Sequence, residues 1–259
     1  MTSRFPILIL LSALVAPAYS QTAFDPIAAQ VRTEPLLLPA EVSIVSLTPG
    51  DQENSRQAYS LVRTFNADGS FSVDWKTLQY QTKQTFRADG TLVTGRQINL
   101  AKALSVEATT DQKRASVHTV ITDQGKVKSD KRVDLVPGIV LREEMQYVIL
   151  QSWLYGVRDG LKFRSLSPDG GLVGDFLVVF RPVTDPTSVS TKYTYPAELK
   201  TTLGTKNSYL VADMSLQGVA ALFYPHHFYL VFEVMPTGLE WRGYFGEDPK
   251  APVFQYWKR

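Results

Sequence analysis

The sequence predicts a mainly β protein of the α+β class: a large curved antiparallel sheet, or half-barrel, with one central apolar helix packed against it. Most of the chain is divided by turn residues into short segments in which apolar and polar residues alternate. That alternation is the pattern of strands with one buried face. One segment, residues 139–156, is instead long and almost continuously apolar. A segment of that length and character is typical of a buried helix.

The chain begins with an expected secretory signal peptide, residues 1–20. A basic residue precedes the apolar run 5–16, and the small residues Ala18 and Ser20 form the small-x-small pattern of a cleavage site. The run is too short to span a membrane. We therefore expect a periplasmic or secreted protein, cleaved after Ser20, in which residues 21–259 form a single β-rich domain without a transmembrane span.

The composition narrows the possible partners. The 27 basic and 25 acidic residues give a formal net charge of +2, so no strong field draws the chain to nucleic acid. The chain has no cysteine, which excludes disulfides, thiol catalysis and thiolate metal sites. Hydrophobic residues make up 44% of the sequence, enough for the core alone to hold a domain of this size. We expect no nucleic-acid partner and no cofactor.

The part of the chain before the helix is predicted to form hairpins. A strand is expected at residues 41–47, and Ala-Asp-Gly occurs twice, at residues 67–69 and 88–90. Asp-Gly supplies the positive φ that a tight strand reversal requires, so each copy is predicted to be a hairpin corner. A calcium loop is the alternative, but neither copy has the alternating acidic ligands of an EF-hand. Three further strands are predicted at residues 103–110, 115–122 and 127–136.

The helix predicted at residues 139–156 is apolar on two sides. The apolar side chains fall on two stripes, with Leu141, Met145, Val148, Ile149 and Tyr155 on one and Ile139, Leu150, Trp153 and Leu154 on the other. Such a helix is buried on more than one side. Residues 147–150 alone would also fit a buried strand, but the length of the segment favours a helix. Glu143 and Glu144 are interpreted as N-terminal partners of the helix dipole.

The last third of the chain is rich in aromatic residues and is predicted to return to strands. Two strands, 161–166 and 172–180, are expected around a turn at residues 167–171. Further on, strand alternation places one apolar face on each of two neighbouring strands. These predicted faces contain Phe228, Leu230, Phe232 and Val234 on the first strand and Leu239, Trp241 and Phe245 on the second. The apolar faces are expected to meet the helix.

The sequence contains no recognisable catalytic motif. It has no Gly-x-Ser-x-Gly elbow, no His-Glu-x-x-His helix and no glycine-rich dinucleotide fingerprint. The adjacent histidines His226 and His227 follow a proline and are interpreted as exposed turn residues. Neighbours in an extended chain point to opposite faces, so this pair does not chelate a metal by itself. We expect no catalytic residue and no metal site, and we predict that the protein is not an enzyme.

The order of elements resembles the half-barrel architecture of the periplasmic lipoprotein-localisation carriers and related uncharacterised bacterial envelope families. The resemblance covers most of the chain after the signal peptide and is carried by PGIVLREEMQYVILQSWLYG, residues 137–156, followed by a strand-rich end. It implies a curved sheet wrapped around a helix, with space between them for an acyl chain. Such carriers have several helices where this chain has one strong candidate. No residue here matches a ligand-contacting motif of the family, so none is carried over.

Two classes of function remain open from the sequence. The first is binding or carrying an apolar ligand, such as a lipid or acyl chain, between the helix and the aromatic strands. The candidate ligand-binding residues are Met145, Val148, Ile149, Trp153, Phe228, Leu230, Phe232, Trp241 and Phe245. The second is a structural or assembly role in the cell envelope, with sheet edges or exposed aromatic residues contacting a protein partner. A cavity beside the helix distinguishes the two.

Overall fold

The computed structural model describes residues 41–47, 57–77, 79–158, 160–189, 208–235, 238–247 and 253–258. The expected signal peptide lies outside these ranges. Within them, one sheet contains fifteen strands. The strands are β1 (Glu41–Leu47), β2 (Gln57–Phe65), β3 (Phe71–Lys76), β4 (Tyr80–Phe86), β5 (Leu92–Asn99), β6 (Leu104–Thr110), β7 (Ser116–Asp123), β8 (Lys126–Asp134), β9 (Ile139–Leu141), β10 (Leu161–Leu166), β11 (Leu172–Val183), β12 (Tyr209–Leu216), β13 (His227–Met235), β14 (Gly238–Gly246) and β15 (Val253–Lys258).

Helical structure is confined to four short elements of the described chain. The central helix α1 spans Met145–Leu154 and follows directly on a 3-10 turn at Arg142–Glu144. A second helix, α2, spans Val219–Phe223, and a second 3-10 turn covers Pro186–Ser188. None of the described helices is long and apolar enough to cross a membrane. The predicted mainly β class, with a curled half-barrel sheet and one central helix packed against it, is confirmed.

The chain builds the sheet in two halves. Strands β1 to β8 form a meander that runs outward from β1, and strands β9 to β15 form a second series that returns until β15 pairs with β1. All pairings are antiparallel except that of β9 with β10, which is parallel. Strands β8 and β9 are therefore the two edges of the sheet, although they follow each other in sequence.

This topology forces the sheet to curl. In a flat sheet of fifteen strands, the two edges would lie about 65–70 Å apart at the usual spacing of ~4.8 Å between strands. The link from Asp134 to Ile139 reaches at most about 18 Å even when fully extended. The edges must therefore approach each other, and Thr119 of β7 indeed donates a hydrogen bond to the carbonyl of Pro168, in the turn between β10 and β11. The resulting concave face holds the hydrophobic core and α1.

Both Asp-Gly hairpin corners are confirmed. Gly69 and Gly90 have φ of 81° and 78°, in the region that favours glycine. Each preceding aspartate folds its side chain back onto the turn: Asp68 Oδ1 accepts from the Ser70 amide at 3.0 Å and Asp89 Oδ1 from the Thr91 amide at 2.9 Å. The positive φ of the glycine and the hydrogen bond to the aspartate side chain thus stabilise each turn locally.

Replacing Gly90 by alanine is expected to lower the free energy of unfolding by about 1 kcal/mol, because alanine is strained at positive φ. Gly95→Ala is the matched control: it lies inside β5 without a positive φ, and an added Cβ would meet its nearest neighbours at 3.7 Å, an ordinary contact distance. Urea unfolding of both variants measures the difference. Equal losses in the two variants would contradict the assignment of the cost to backbone strain.

The central helix begins later than the sequence predicts. Residues 139–141 form the edge strand β9, in parallel register with residues 164–166 of β10, and the 3-10 turn follows. The Glu144 carboxylate accepts a hydrogen bond from the Leu141 amide at 2.9 Å, which closes the turn before α1 starts. Within α1 every side chain from 147 to 152 is buried, as expected for a helix with two apolar stripes.

A β-bulge in β14 corrects the predicted position of Phe245. Phe232 pairs with Trp241 and Val231 with Gly243, so β14 carries one extra residue, Arg242, opposite β13. A bulge reverses the side-chain alternation beyond it. Trp241 therefore shares the core face with Tyr244, whereas Phe245 pairs with Tyr229 and lies on the opposite face of the sheet. The strict alternation predicted for this strand is wrong after Trp241.

Candidate functional site

A cavity of about 620 Å³ lies on the concave face of the sheet, beside the start of α1. Twelve of its sixteen lining residues are aliphatic, aromatic or methionine. The apolar residues are Leu61, Val73, Trp75, Met145, Tyr147, Val173, Phe176, Met214, Phe228, Leu230, Trp241 and Tyr244, and the polar ones are Gln84, Arg142, Glu143 and Gln146. The arrangement provides an apolar pocket with polar groups beside the helix start.

Both halves of the sheet contribute walls to this cavity. Strands β2 to β4 form one wall and β11 to β14 the other, while the 3-10 turn and the first turn of α1 close it from the concave side. On the second wall the Phe228 ring lies between the rings of Tyr224 and Tyr244, with centroid distances of 5.8 and 6.2 Å. Stacking of this kind fixes the orientation of the aromatic rings.

The length of α1 explains why space remains. A helix of ten residues is about 15 Å long, whereas a strand of twelve residues such as β11 extends about 40 Å. A single short helix therefore fills only part of the trough formed by the curled sheet. The cavity occupies the part next to the N-terminal end of α1.

Four of the nine predicted ligand-binding residues line the cavity: Met145, Phe228, Leu230 and Trp241. Three others, Val148, Ile149 and Phe232, are buried in the hydrophobic core beside it. The two remaining predicted residues lie elsewhere. Trp153 packs against Phe180 of β11 with a centroid distance of 5.2 Å, under the guanidinium of Arg158 at 3.6 Å, and Phe245 is on the other face of the sheet. The first turn of α1 faces the cavity, and its middle does not.

Glu144 fixes the position of this helix end. Its side chain is fully buried, and its two carboxylate oxygens accept from the Leu92 amide at 2.8 Å and the Leu141 amide at 2.9 Å. Arg114, from the loop between β6 and β7, forms an ion pair with the same carboxylate and donates to the Ile139 carbonyl at 2.9 Å. The sequence-based interpretation as a dipole partner misses this role. Glu144 joins the start of the helix to the first half of the sheet.

Tyr147 fixes the same end through aromatic contacts. Its ring meets Phe71 and Phe86 edge to face, with centroid distances of 5.4 and 4.9 Å. Burial raises the pKa of the Tyr147 phenol, although the nearby Arg63 opposes the shift. Burial also raises the pKa of Tyr244 on the opposite wall. Both phenols therefore stay neutral at ordinary pH, which suits an apolar pocket.

Arg142 and Glu143 form the polar end of the cavity. The guanidinium binds a single carboxylate oxygen, with Arg142 Nη2 2.9 Å and Nε 3.2 Å from Glu143 Oε1. The other oxygen, Oε2, is shielded from solvent and has no hydrogen-bond partner among the described residues. Burial raises the pKa of Glu143, and the Arg142 charge only partly opposes it.

A second cavity of about 290 Å³ adjoins the first, and the two share Gln84, Arg142 and Glu143 in their walls. Eight of its fourteen lining residues are polar or charged. The polar residues are Thr82, Gln84, Arg96, Gln97, Arg142, Glu143, Ser167 and Asp169, and the others are Leu92, Gly95, Val106, Ala108, Ile121 and Pro168. An apolar and a polar compartment thus meet at the 3-10 turn.

Sequence reasoning missed the wall from the first half of the sheet. Val73 and Trp75 alternate with polar residues in β3, a signal that marks them as inward-facing, but nothing local places this strand beside α1. Gln84 and Glu143 carry no distinctive sequence signal at all. Their place in the site follows from the curl of the sheet.

The histidines take no part in this site. His227 begins β13 and is half-exposed, with Nδ1 2.5 Å from Asp213 Oδ1, so its interpretation as an exposed turn residue is wrong. His118 of β7 also contacts an aspartate, with its Nε2 2.6 Å from Asp130 Oδ1. In the described part of the chain, no three His, Asp or Glu residues come together in a way that could hold a metal ion.

No protein-family model, curated protein or solved structure matches this chain. The resemblance to lipoprotein-localisation carriers therefore remains an interpretation of element order.

Proposed function

We propose that this protein binds or carries an apolar ligand, such as a lipid or acyl chain, between the curved sheet and the start of α1. The supporting observation is the cavity of about 620 Å³ with its predominantly apolar lining. Its size lies within the range of about 300–1,000 Å³ that is typical of small-molecule sites. The role is binding, without a chemical step, and the expected signal peptide supports a location in the periplasm or outside the cell.

The energetics favour a hydrocarbon chain. Each methylene transferred from water into such a pocket contributes about 0.8 kcal/mol, and this gain needs no directional contact. Met145 and Met214 add adaptable, polarisable walls, which suit ligands of varying shape. The charged groups lie together at the helix start, so a chain can enter the apolar part without desolvating them.

Filling the cavity is expected to abolish binding of an apolar fluorescent probe. Val173→Trp places a large ring into the lining from β11, where Val173 is only partly buried and has open space beside it. Val179→Trp is the matched control, because Val179 lies on the same strand but is exposed. We expect roughly tenfold or greater weakening for the first variant and little change for the second, measured by probe titration.

Equal binding by both variants would place the probe outside the cavity and contradict the proposal. Native mass spectrometry of wild-type protein purified from the periplasm gives a second measurement. A ligand carried in the cell is expected to appear as added mass in the wild type and to be absent from Val173→Trp.

A second candidate function is assembly with another envelope protein. Helix α2 exposes three apolar side chains, Val219, Leu222 and Phe223, with Leu222 and Phe223 79% and 83% accessible to solvent. Exposed apolar groups at one site are typical of contact surfaces. Sheet-edge pairing is disfavoured at β8, because its exposed lysines oppose the addition of a further strand. Absence of probe binding by the wild type, with a partner lost on Phe223→Ser, would favour this candidate over the carrier.

A further inference from the structure

The two adjoining cavities differ in chemistry in a way that matches an amphiphile. The larger is apolar over most of its wall, while more than half of the residues around the smaller are polar or charged. They meet at Gln84, Arg142 and Glu143. A ligand with a hydrocarbon chain and a polar headgroup can therefore lie across this boundary with each part in the compartment of its own polarity.

Glu143 presents an unsatisfied acceptor at this boundary. Both contacts from Arg142 go to Oε1, and Oε2 is buried without a partner among the described residues. Buried polar atoms are nearly always hydrogen-bonded in folded proteins, and an unpaired one is unfavourable. A ligand group that donates a hydrogen bond at this boundary would therefore satisfy Glu143 Oε2.

The charges around the smaller cavity are already balanced. Arg142 pairs with Glu143 at 2.9 Å, and Arg96 pairs with Glu107 at 3.0 Å. Asp169 accepts from the Ser167 hydroxyl and the Gly171 amide, and these contacts lower its pKa. The charged residues around the smaller cavity are two arginines and two carboxylates, so its wall has no formal net charge that would attract an ionic headgroup. The polar compartment is suited to an uncharged group rich in hydrogen-bonding atoms.

From this we propose that the ligand is an amphiphile with an uncharged, hydroxyl-bearing headgroup, such as glycerol or a sugar. Its chain occupies the larger cavity, a hydroxyl next to the chain donates to Glu143 Oε2, and the rest of the headgroup lies in the smaller cavity. This inference rests on the proposed function and specifies the class of ligand. Glu143 is the residue that selects the headgroup.

The ionisation of Glu143 supports the choice of a hydroxyl. Burial raises the pKa of this carboxyl, so its protonated form is more accessible than that of an exposed glutamate. A hydroxyl can donate to the carboxylate and can accept from the protonated acid. An ammonium pairs only with the ionised form, and a carboxylate only with the protonated one. The hydroxyl is the group that matches both.

Three ligands with the same hydrocarbon chain test the inference: monoolein with two hydroxyls, methyl oleate with no donor, and oleate with a negative charge. Each competes with an apolar fluorescent probe bound to the full protein. Wild type is expected to bind monoolein about tenfold or more tightly than methyl oleate, as one hydrogen bond to a charged group implies. Oleate is expected to bind more weakly than monoolein, because its carboxylate faces that of Glu143.

The variant Glu143→Met keeps the length of the side chain and removes the acceptor. It is expected to reduce the preference for monoolein to within about threefold, while methyl oleate binds as before. Asp175→Leu is the matched control, because Asp175 is also paired with an arginine, Arg164, and neither of these two residues lines a cavity. It is expected to keep the wild-type preference.

The outcomes separate this inference from the proposed function. If wild type binds all three ligands equally, or prefers oleate, the headgroup assignment is overturned while the apolar binding site stands. If it binds none of them, the proposed function fails and the inference fails with it. A preference for monoolein that survives Glu143→Met would overturn the role of Glu143. The ligand series on wild type alone decides the headgroup class even if a variant does not fold.

Discussion

Glu144→Ala is expected to destabilise the protein by about 3–5 kcal/mol, because it breaks a buried ion pair from one side. Arg114, whose side chain is only 14% exposed, would be left without its carboxylate. The amides of Leu92 and Leu141 would lose their acceptor at the same time. These losses are coupled, so their sum is not the expected total. Chemical unfolding of wild type and variant gives the difference in free energy.

The neighbouring glutamate provides the control. Glu143→Ala is expected to change stability by no more than about 1 kcal/mol, since burial already raises the pKa of that carboxyl and makes its charged form unfavourable. Glu144→Gln is expected to fall between the two, because its amide oxygen still accepts one of the two backbone hydrogen bonds. Similar losses for Glu143→Ala and Glu144→Ala would contradict the special role of Glu144.

Tyr147→Ala is expected to lower stability by about 3–5 kcal/mol, through loss of buried ring surface and an unfilled space. The ring is 1% exposed and contacts both Phe71 and Phe86, so its removal takes away the aromatic contacts of α1 with the first half of the sheet. The same ring lines the larger cavity. The variant is therefore expected to be less stable and to change the affinity for an apolar probe.

Leu154→Ala controls for truncation within the same helix. Leu154 is 50% exposed, and its loss is expected to cost about 1 kcal/mol or less. Thermal or chemical unfolding measures both variants under identical conditions. If the loss for Tyr147→Ala is as small as that for Leu154→Ala, Tyr147 does not hold the helix against the sheet.

The start of α1 is attached to both halves of the sheet. Glu144 and Tyr147 hold the start of α1 to the first half of the sheet, and β9 pairs the preceding residues with the second half. The segment from 139 to 147 is thus fixed on both sides of the trough. The cavities adjoin this fixed segment, so their polar and apolar parts have defined positions relative to each other.

Most of the local structure can be predicted from the sequence. Period-two alternation predicts β1, β6, β7 and β10 closely, because buried and exposed side chains alternate along a strand with one solvent-facing side. The Asp-Gly pairs predict both hairpin corners, because these turns need a residue with positive φ and glycine adopts positive φ without strain. The apolar segment around Val148 was predicted to be a buried helix, and its interior is buried on all sides. The same patterns predict Met145, Phe228, Leu230 and Trp241 as ligand-binding residues, and all four line the cavity.

The features that depend on pairing between distant parts of the chain cannot be predicted from the sequence. Residues 139–141 form a strand because their backbone pairs with that of β10. The bulge at Arg242 places Phe245 on the face of the sheet opposite the core. Neither event leaves a local signal, since a hydrogen-bond partner or a register shift belongs to two strands at once. The same holds for Glu143 and Glu144, two adjacent carboxylates of one 3-10 turn. One is neutralised by an arginine thirty positions earlier and the other faces a cavity, because the curl of the sheet brings those surroundings to them.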